Sequence, residues 1–208
     1  MNTNTPSSST EPLPIFPLGN VLFPRGRMKL RIFEARYMDM IAVCMQENRP
    51  FGINLIAQGK EVGEAAEPHA VGVEAFVVDW DMQEQGVLGI TVRGARRFRI
   101  ASHEVNARNT VDAQVNWLDE SPAPVAEIYA PMQSLLQLIA ADKGQSVIAP
   151  PYDFGEANWV GYRFAEILPI PSLARLRLLE LEDAGMRLSI IQKYLEQHGL
   201  LRAGSAQG

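Results

Sequence analysis

The chain of 208 residues has one cysteine and three histidines, and it carries fewer basic than acidic residues. A single cysteine, Cys44, closes no internal disulfide, so the fold must rest on its core, and a reducing, cytoplasmic setting is expected. His69, His103 and His198 are scattered and form no HExxH, which leaves no metal site to expect. No apolar run approaches the roughly 18 residues that cross a bilayer, and the opening MNTNTPSSSTEP has neither the charged nor the apolar region of a signal peptide, so no membrane role is expected. A formal net charge of −5 argues against a general nucleic-acid binder, which needs a basic face.

The motifs of common enzymes are missing as well. Gly59-Lys60 is followed by Glu61 and lacks the upstream glycine of a phosphate-binding loop. No G-x-G-x-x-G joins a strand to a helix, and no G-x-S-x-G elbow occurs. The expectation is a chain that is not an enzyme and uses no cofactor.

What is present is a change of period. Residues 1–11 are polar enough to stay a disordered tail. Leu13–Leu18 (LPIFPL) carries apolar positions among prolines and fits an edge strand. Met28–Phe33 alternates, with Met28, Leu30 and Ile32 on one face and Lys29 and Arg31 on the other. A helix is expected from about Glu34 to Asn48, with Tyr37, Met38, Ile41, Cys44, Met45 and Asn48 on one face and Glu34 in its first turn. Five further strands follow: Phe51–Ala57, Val71–Asp81, Val87–Arg93, Arg97–His103 and Thr110–Trp117. Gly94 marks a tight turn or bulge between two of them.

Beyond Glu120 apolar residues recur at helical spacing. The first helix runs through Val125, Ile128, Met132, Leu136 and Ile139, with Pro131 as a kink or late start. A second spans Asn158–Leu168, Ser172 caps a third, and Asp183 caps a fourth that ends at Gly199. The expected class is α+β, with a β-rich part over 12–120, a helical part over 121–199 and a flexible tail over 200–208.

Four constellations invite a functional reading. Cys44 on an apolar helix face is expected in the core rather than as a nucleophile. Glu61, Glu64, Glu67 and His69 read as a solvated acidic loop. Asp79, Asp81 and Glu84 approach a Gln-Gly turn where such residues are ordinary. From Val87 to Thr110, however, Arg93, Arg96, Arg97, Arg99 and Arg108 face Glu104 alone. This is the candidate anion-binding strip, although alternation sets Arg93, Arg97 and Arg99 on the wet face of a half-buried hairpin.

The ordered set LPIFPL, Leu22-Phe23-Pro24, LRIFEARY (Leu30–Tyr37), RPFG (Arg49–Gly52), Val71-Gly72, LGITVRGARRFRI (Leu88–Ile100), WVGY (Trp159–Tyr162) and ILPIP (Ile167–Pro171) resembles the LON domain. That domain is the N-terminal part of ATP-dependent Lon proteases, and the likeness is strongest to its small stand-alone bacterial relatives. The resemblance implies a PUA-like mixed β pseudo-barrel with one inserted helix, followed by a C-terminal helical bundle. It also implies a module that holds unfolded or peptide-like protein segments, with the ATPase and Ser-Lys peptidase modules absent from these 208 residues. A ligand groove would draw on Arg25, Glu34, Arg36 and Tyr37, since an arginine beside an aromatic suits peptide recognition. RNA binding by the arginine strip is the alternative. The oligomeric state is not specified by the sequence.

Overall fold

In a computed structural model the described residues are 10–84 and 86–201. The chain divides into two compact units, Met1–Asp119 and Glu120–Gly208. Among the described residues the first holds six strands and one α-helix: β1 (Glu11–Leu18), β2 (Arg27–Ile32), α1 (Ala35–Gln46), β3 (Phe51–Gln58), β4 (Glu67–Glu84), β5 (Val87–Val105) and β6 (Val111–Leu118). The second holds α2 (Ala130–Lys143), α3 (Ala157–Ile167), α4 (Ser172–Glu180) and α5 (Ala184–Gln197). The architecture is mixed α+β. None of the helices among the described residues is long and apolar enough to cross a membrane.

The sheet runs β2-β5-β4-β3-β1-β6, and a further pairing of β5 with β6 closes five of the six strands into a ring. Closure leaves β2 as an addition to the N-terminal half of β5, because β6 takes the C-terminal half. The ring encloses Leu13, Ile15, Phe98, Val111, Ala113 and Val115, all buried. Gly52 makes this packing possible. A Cβ there would meet Ile15 and Phe98 at 2.6 Å each, so the Phe98 ring occupies the space that any other residue would need.

Several expectations are corrected. β1 is not an edge strand: its first half pairs with β6 at Glu11–Ile15 and its second with β3 at Ile15–Leu18. Each half has a partner on one side, so a proline's missing N–H can face the other side without breaking a ladder. The two strands expected around Gly94 are one strand, β5, with a register shift opposite Val73 and Ala75. The bulge is real and the turn is not. α2 begins late, with Pro131 in its first turn after a short 3-10 segment at Glu127–Tyr129. Ser172 does not cap α4: the cap position falls on Pro171, with no side-chain hydrogen bond. Glu34 stands at the cap position of α1 rather than within its first turn, and Asn48 is exposed beyond the helix end. Met40, absent from the expected face of α1, is buried with Tyr37, Ile41 and Cys44.

Asp183 caps α5 as expected, accepting the Met186 N–H. Of the expected tails, 1–9 and 202–208 lie outside the described residues. Glu11 already belongs to β1, and the amides of Leu200 and Leu201 both donate to the Leu195 carbonyl after a left-handed Gly199.

Candidate protein-interaction surface

β4 pairs with β3 only as far as Ala75 but continues beside β5 to Glu84. Residues 76–84 of β4, the first half of β5, and β2 therefore form a three-stranded sheet that runs past the ring. Cross-strand register assigns its faces, because residues directly opposite share a face. Trp80, Ile90 and Leu30 form one row and Met82, Leu88 and Ile32 the next. On the other face Asp79, Thr91 and Lys29 align, followed by Asp81, Gly89 and Arg31. The apolar rows are buried at Ile90 and Ile32, while Trp80 and Met82 remain 58% and 55% exposed. Val78 and Phe33 are exposed as well. Large apolar side chains gathered on one exposed element mark an interaction surface more often than scattered ones do. A groove of about 390 Å³ follows the sheet, lined by Lys29, Arg31, Asp79, Trp80 and Asp81.

Two joined grooves lie elsewhere on the first unit. One of about 610 Å³ is lined by Pro12, His103, Glu104 and Gln114, the other of about 350 Å³ by Arg36, Met40, Val43 and Arg108, and both include Pro14, Arg49 and Asp112. The helical unit has its own apolar groove of about 480 Å³, walled by Leu168, Leu178, Ile190, Ile191 and Tyr194.

Of the groove residues expected from sequence, Glu34, Arg36 and Tyr37 meet at the start of α1, while Arg25 is fastened to β5. Arg25 is exposed, in the left-handed region at φ 61, and its amide donates to the Gly94 carbonyl at 2.9 Å. Glu34 and Arg36 pair at 3.1 Å and clasp two loops: Glu34 accepts from the Gly63 amide, and Arg36 donates to the Asn109 carbonyl. The Arg36 guanidinium also lies 4.5 Å over the Tyr37 ring. Tyr37 is buried against Phe16, and burial pushes its hydroxyl above the ordinary tyrosine range. Of the four, Arg36 alone lines one of these grooves.

The arginine strip also divides. β5 carries one extra residue opposite Val73 and Ala75, and just beyond it Arg97 is fully buried while Arg93 and Arg99 stay exposed. The expectation of a shared wet face fails at Arg97. Arg96 forks onto the buried Glu74, Nε to Oε2 at 3.0 Å and Nη2 to Oε1 at 3.1 Å, and stacks 3.7 Å from the Trp117 ring. Arg108 sits in the loop between β5 and β6. Glu67 and His69 belong to β4 rather than to a loop, and Glu67 pairs with His103 at 3.1 Å.

Trp80 and Met82 are not among the candidates that the sequence singles out. Their signal was available: Val78, Trp80 and Met82 alternate with Asp79 and Asp81, which puts three large apolar side chains on a strand that also carries charge.

The sequence matches the family model described as the ATP-dependent protease La (LON) substrate-binding domain over residues 12–197. No curated protein matches it. Among solved structures it is similar to a Lon N-terminal domain protein from Xanthomonas campestris, at 31% identity and TM-score 0.74, covering 88% of this chain and 98% of that one. It also shares its fold with the N-terminal domain of the Mycobacterium avium complex Lon protease, at 16% identity and TM-score 0.67, covering 90% of this chain and all of that one. With a match across nearly its whole length, the chain belongs to the Lon substrate-binding domain family.

Proposed function

We propose that the chain is a non-catalytic module that binds protein segments exposing apolar side chains, and that the face carrying Trp80 and Met82 is where it does so. The observation that carries this reading is the exposure of those two side chains at the outer ends of apolar rows that are otherwise partly or fully buried. Family membership supports the class of ligand. Covering a tryptophan and a methionine gains about 1.5–3 kcal/mol each, enough for micromolar binding only if neighbouring contacts offset the ordering of the ligand. A recognition module for transient clients needs no more than that.

The alternative, RNA held by the arginine strip, lacks a common face: Arg97 is buried, and Arg96 is engaged by Glu74 and Trp117. The test is direct. A fluorescently labelled, reduced and permanently unfolded polypeptide is titrated with the chain and with a Trp80→Ser, Met82→Ser variant. Binding should weaken at least about tenfold in the variant. Unchanged affinity would remove this face from consideration.

A further inference from the structure

We propose that the outer edge of β2 is where the bound segment adds as a further strand, and that this edge selects segments in which apolar and acidic residues alternate. The inference rests on the reading of the projecting sheet as a protein-binding face, and goes beyond it in naming the geometry and charge of the occupant.

The first support is topological. Among the described residues β2 has one strand neighbour, β5, so its other edge faces no strand. An open edge is a template for main-chain pairing, and proteins blunt such edges unless they use them. The projection has two outer strands, and they differ. β4 carries register shifts between Val77 and Asp79 and again between Met82 and Glu84, each with an extra residue on β4. Such bulges disrupt an edge. β2 pairs without interruption from Arg27 opposite Arg93 to Ile32 opposite Leu88. The regular edge is therefore the one able to accept a strand.

The second support is charge. Arg27, Lys29 and Arg31 are exposed on one face of β2, whereas Met28, Leu30 and Ile32 occupy the other with partial or full burial. Across the ladder on β5 stand Arg93, Thr91 and Gly89, and the carboxylates of that face, Asp79 and Asp81, stand one strand further away on β4, on the side opposite the open edge. An added strand would place its own side chains about 4.5–5.5 Å from those of β2, close enough for opposite charges to attract and like charges to repel. Acidic residues on one face of the incoming strand would then meet the three cations. Its apolar residues would extend the rows that contain Leu30 and Ile32. Pairing of β2 with β2 of a second copy would instead set cations against cations, so the same charges that favour an acidic segment disfavour self-association.

The experiment uses the whole chain and capped peptides of about eight residues, a common strand length. One peptide alternates Val with Glu, and another Val with Lys. Two more are Val/Glu peptides N-methylated at every second amide, on one edge or on the other. Titration calorimetry should show the Val/Glu peptide binding at least about tenfold more tightly than Val/Lys. One methylated peptide should lose binding while the other keeps it, since a strand addition uses only one edge of the incoming chain. Amide hydrogen exchange should slow across Arg27–Ile32 when the peptide is bound. Lys29→Glu alone should weaken the charge preference, and together with Arg27→Glu and Arg31→Glu it should reverse it.

Equal binding of both methylated peptides overturns the proposal, and this measurement does not depend on any variant folding. So does a Val/Glu preference that survives charge reversal in folded protein. Concentration-dependent self-assembly of the native chain that slows amide exchange across Arg27–Ile32 would make a second copy the occupant and also overturn it. If unfolded polypeptide still binds through Trp80 and Met82 in these cases, the binding face stands and only the edge is lost. Failure of unfolded polypeptide to bind at all removes both readings.

Discussion

A Cβ on Gly94 would lie 2.2 Å from the carbonyl oxygen of Phe23, so the two backbones meet where only glycine fits. The contact is fastened by two hydrogen bonds of 2.9 Å, from the Arg25 amide to the Gly94 carbonyl and from the Gly94 amide to the Gly26 carbonyl. Because the obstacle is backbone rather than a flexible side chain, it cannot swing aside. Gly94→Ala should cost about 3 kcal/mol or more, read as a fall in the urea midpoint with little change in slope. Gly155→Ala, where nothing lies within 4 Å of the added carbon, should change stability by less than about 0.5 kcal/mol. Similar effects at both glycines would contradict the close approach.

Arg187 has a comparable place in the helical unit. Fully buried, it donates Nε to the Leu178 carbonyl at 2.9 Å, Nη1 to Asn158 Oδ1 at 2.9 Å and Nη2 to the Leu181 carbonyl. Leu178 lies in the last turn of α4 and Leu181 at its C-cap, where a cation also suits the negative end of the helix dipole. Gly161 lets the arginine stem pass, since a Cβ there would sit 2.8 Å from Arg187 Cδ. Arg187→Met keeps much of the bulk but strands three acceptors. It should cost about 3–5 kcal/mol in thermal or denaturant unfolding, well beyond the loss of one exposed ion pair. A drop below about 1 kcal/mol would mean the network contributes little.

Much of this was legible locally and some was not, for a physical reason. The alternation of β2, the Asp183 cap and the Gly199 terminus were readable because each is decided by residues within a few positions. Gly94 was visible as a special position, but a glycine serves a turn and a close approach equally well, and the Phe23 carbonyl that decides between them is distant in sequence. The central place of β1 depends on exchanging partners at Ile15. Arg97 and Arg99 are two apart in unbroken register, so alternation treats them alike, yet only Arg97 is buried. The interaction surface was the least legible part. Trp80 looks the same in sequence whether another element covers its face or leaves it open, and only the assembled sheet decides.

Cys44 should be chemically quiet. It is buried on α1, its thiol is pushed above the ordinary range by burial, and Sγ lies 3.9 Å from the Pro50 carbonyl. The thiolate is the reactive form, and here it is both scarce and screened. Labelling by a disulfide reagent at neutral pH should run at least about a hundredfold slower in native protein than in urea. Rapid native labelling would move Cys44 to an accessible site.

Glu166 supplies the clearest pH dependence. Burial raises its carboxyl from 4.5 to about 7, against the pull of Arg163 and Arg175, and its Oε1 accepts from Arg163 Nη2 at 2.9 Å. The folded protein therefore keeps this proton up to about pH 7, whereas the unfolded chain releases it near 4.5. Stability from the group is full below about pH 4.5, declines as the pH rises and is gone above about 7, a change of at most about 3 kcal/mol. Glu166→Gln holds the site neutral at every pH. Relative to the variant, the native protein should lose stability steadily between those two values and run parallel above them. Denaturant unfolding of both proteins across pH 4–8 measures the difference directly. If the two curves stay parallel through the whole window, Glu166 is not the titrating group and the charged pair with Arg163 is tolerated at no cost.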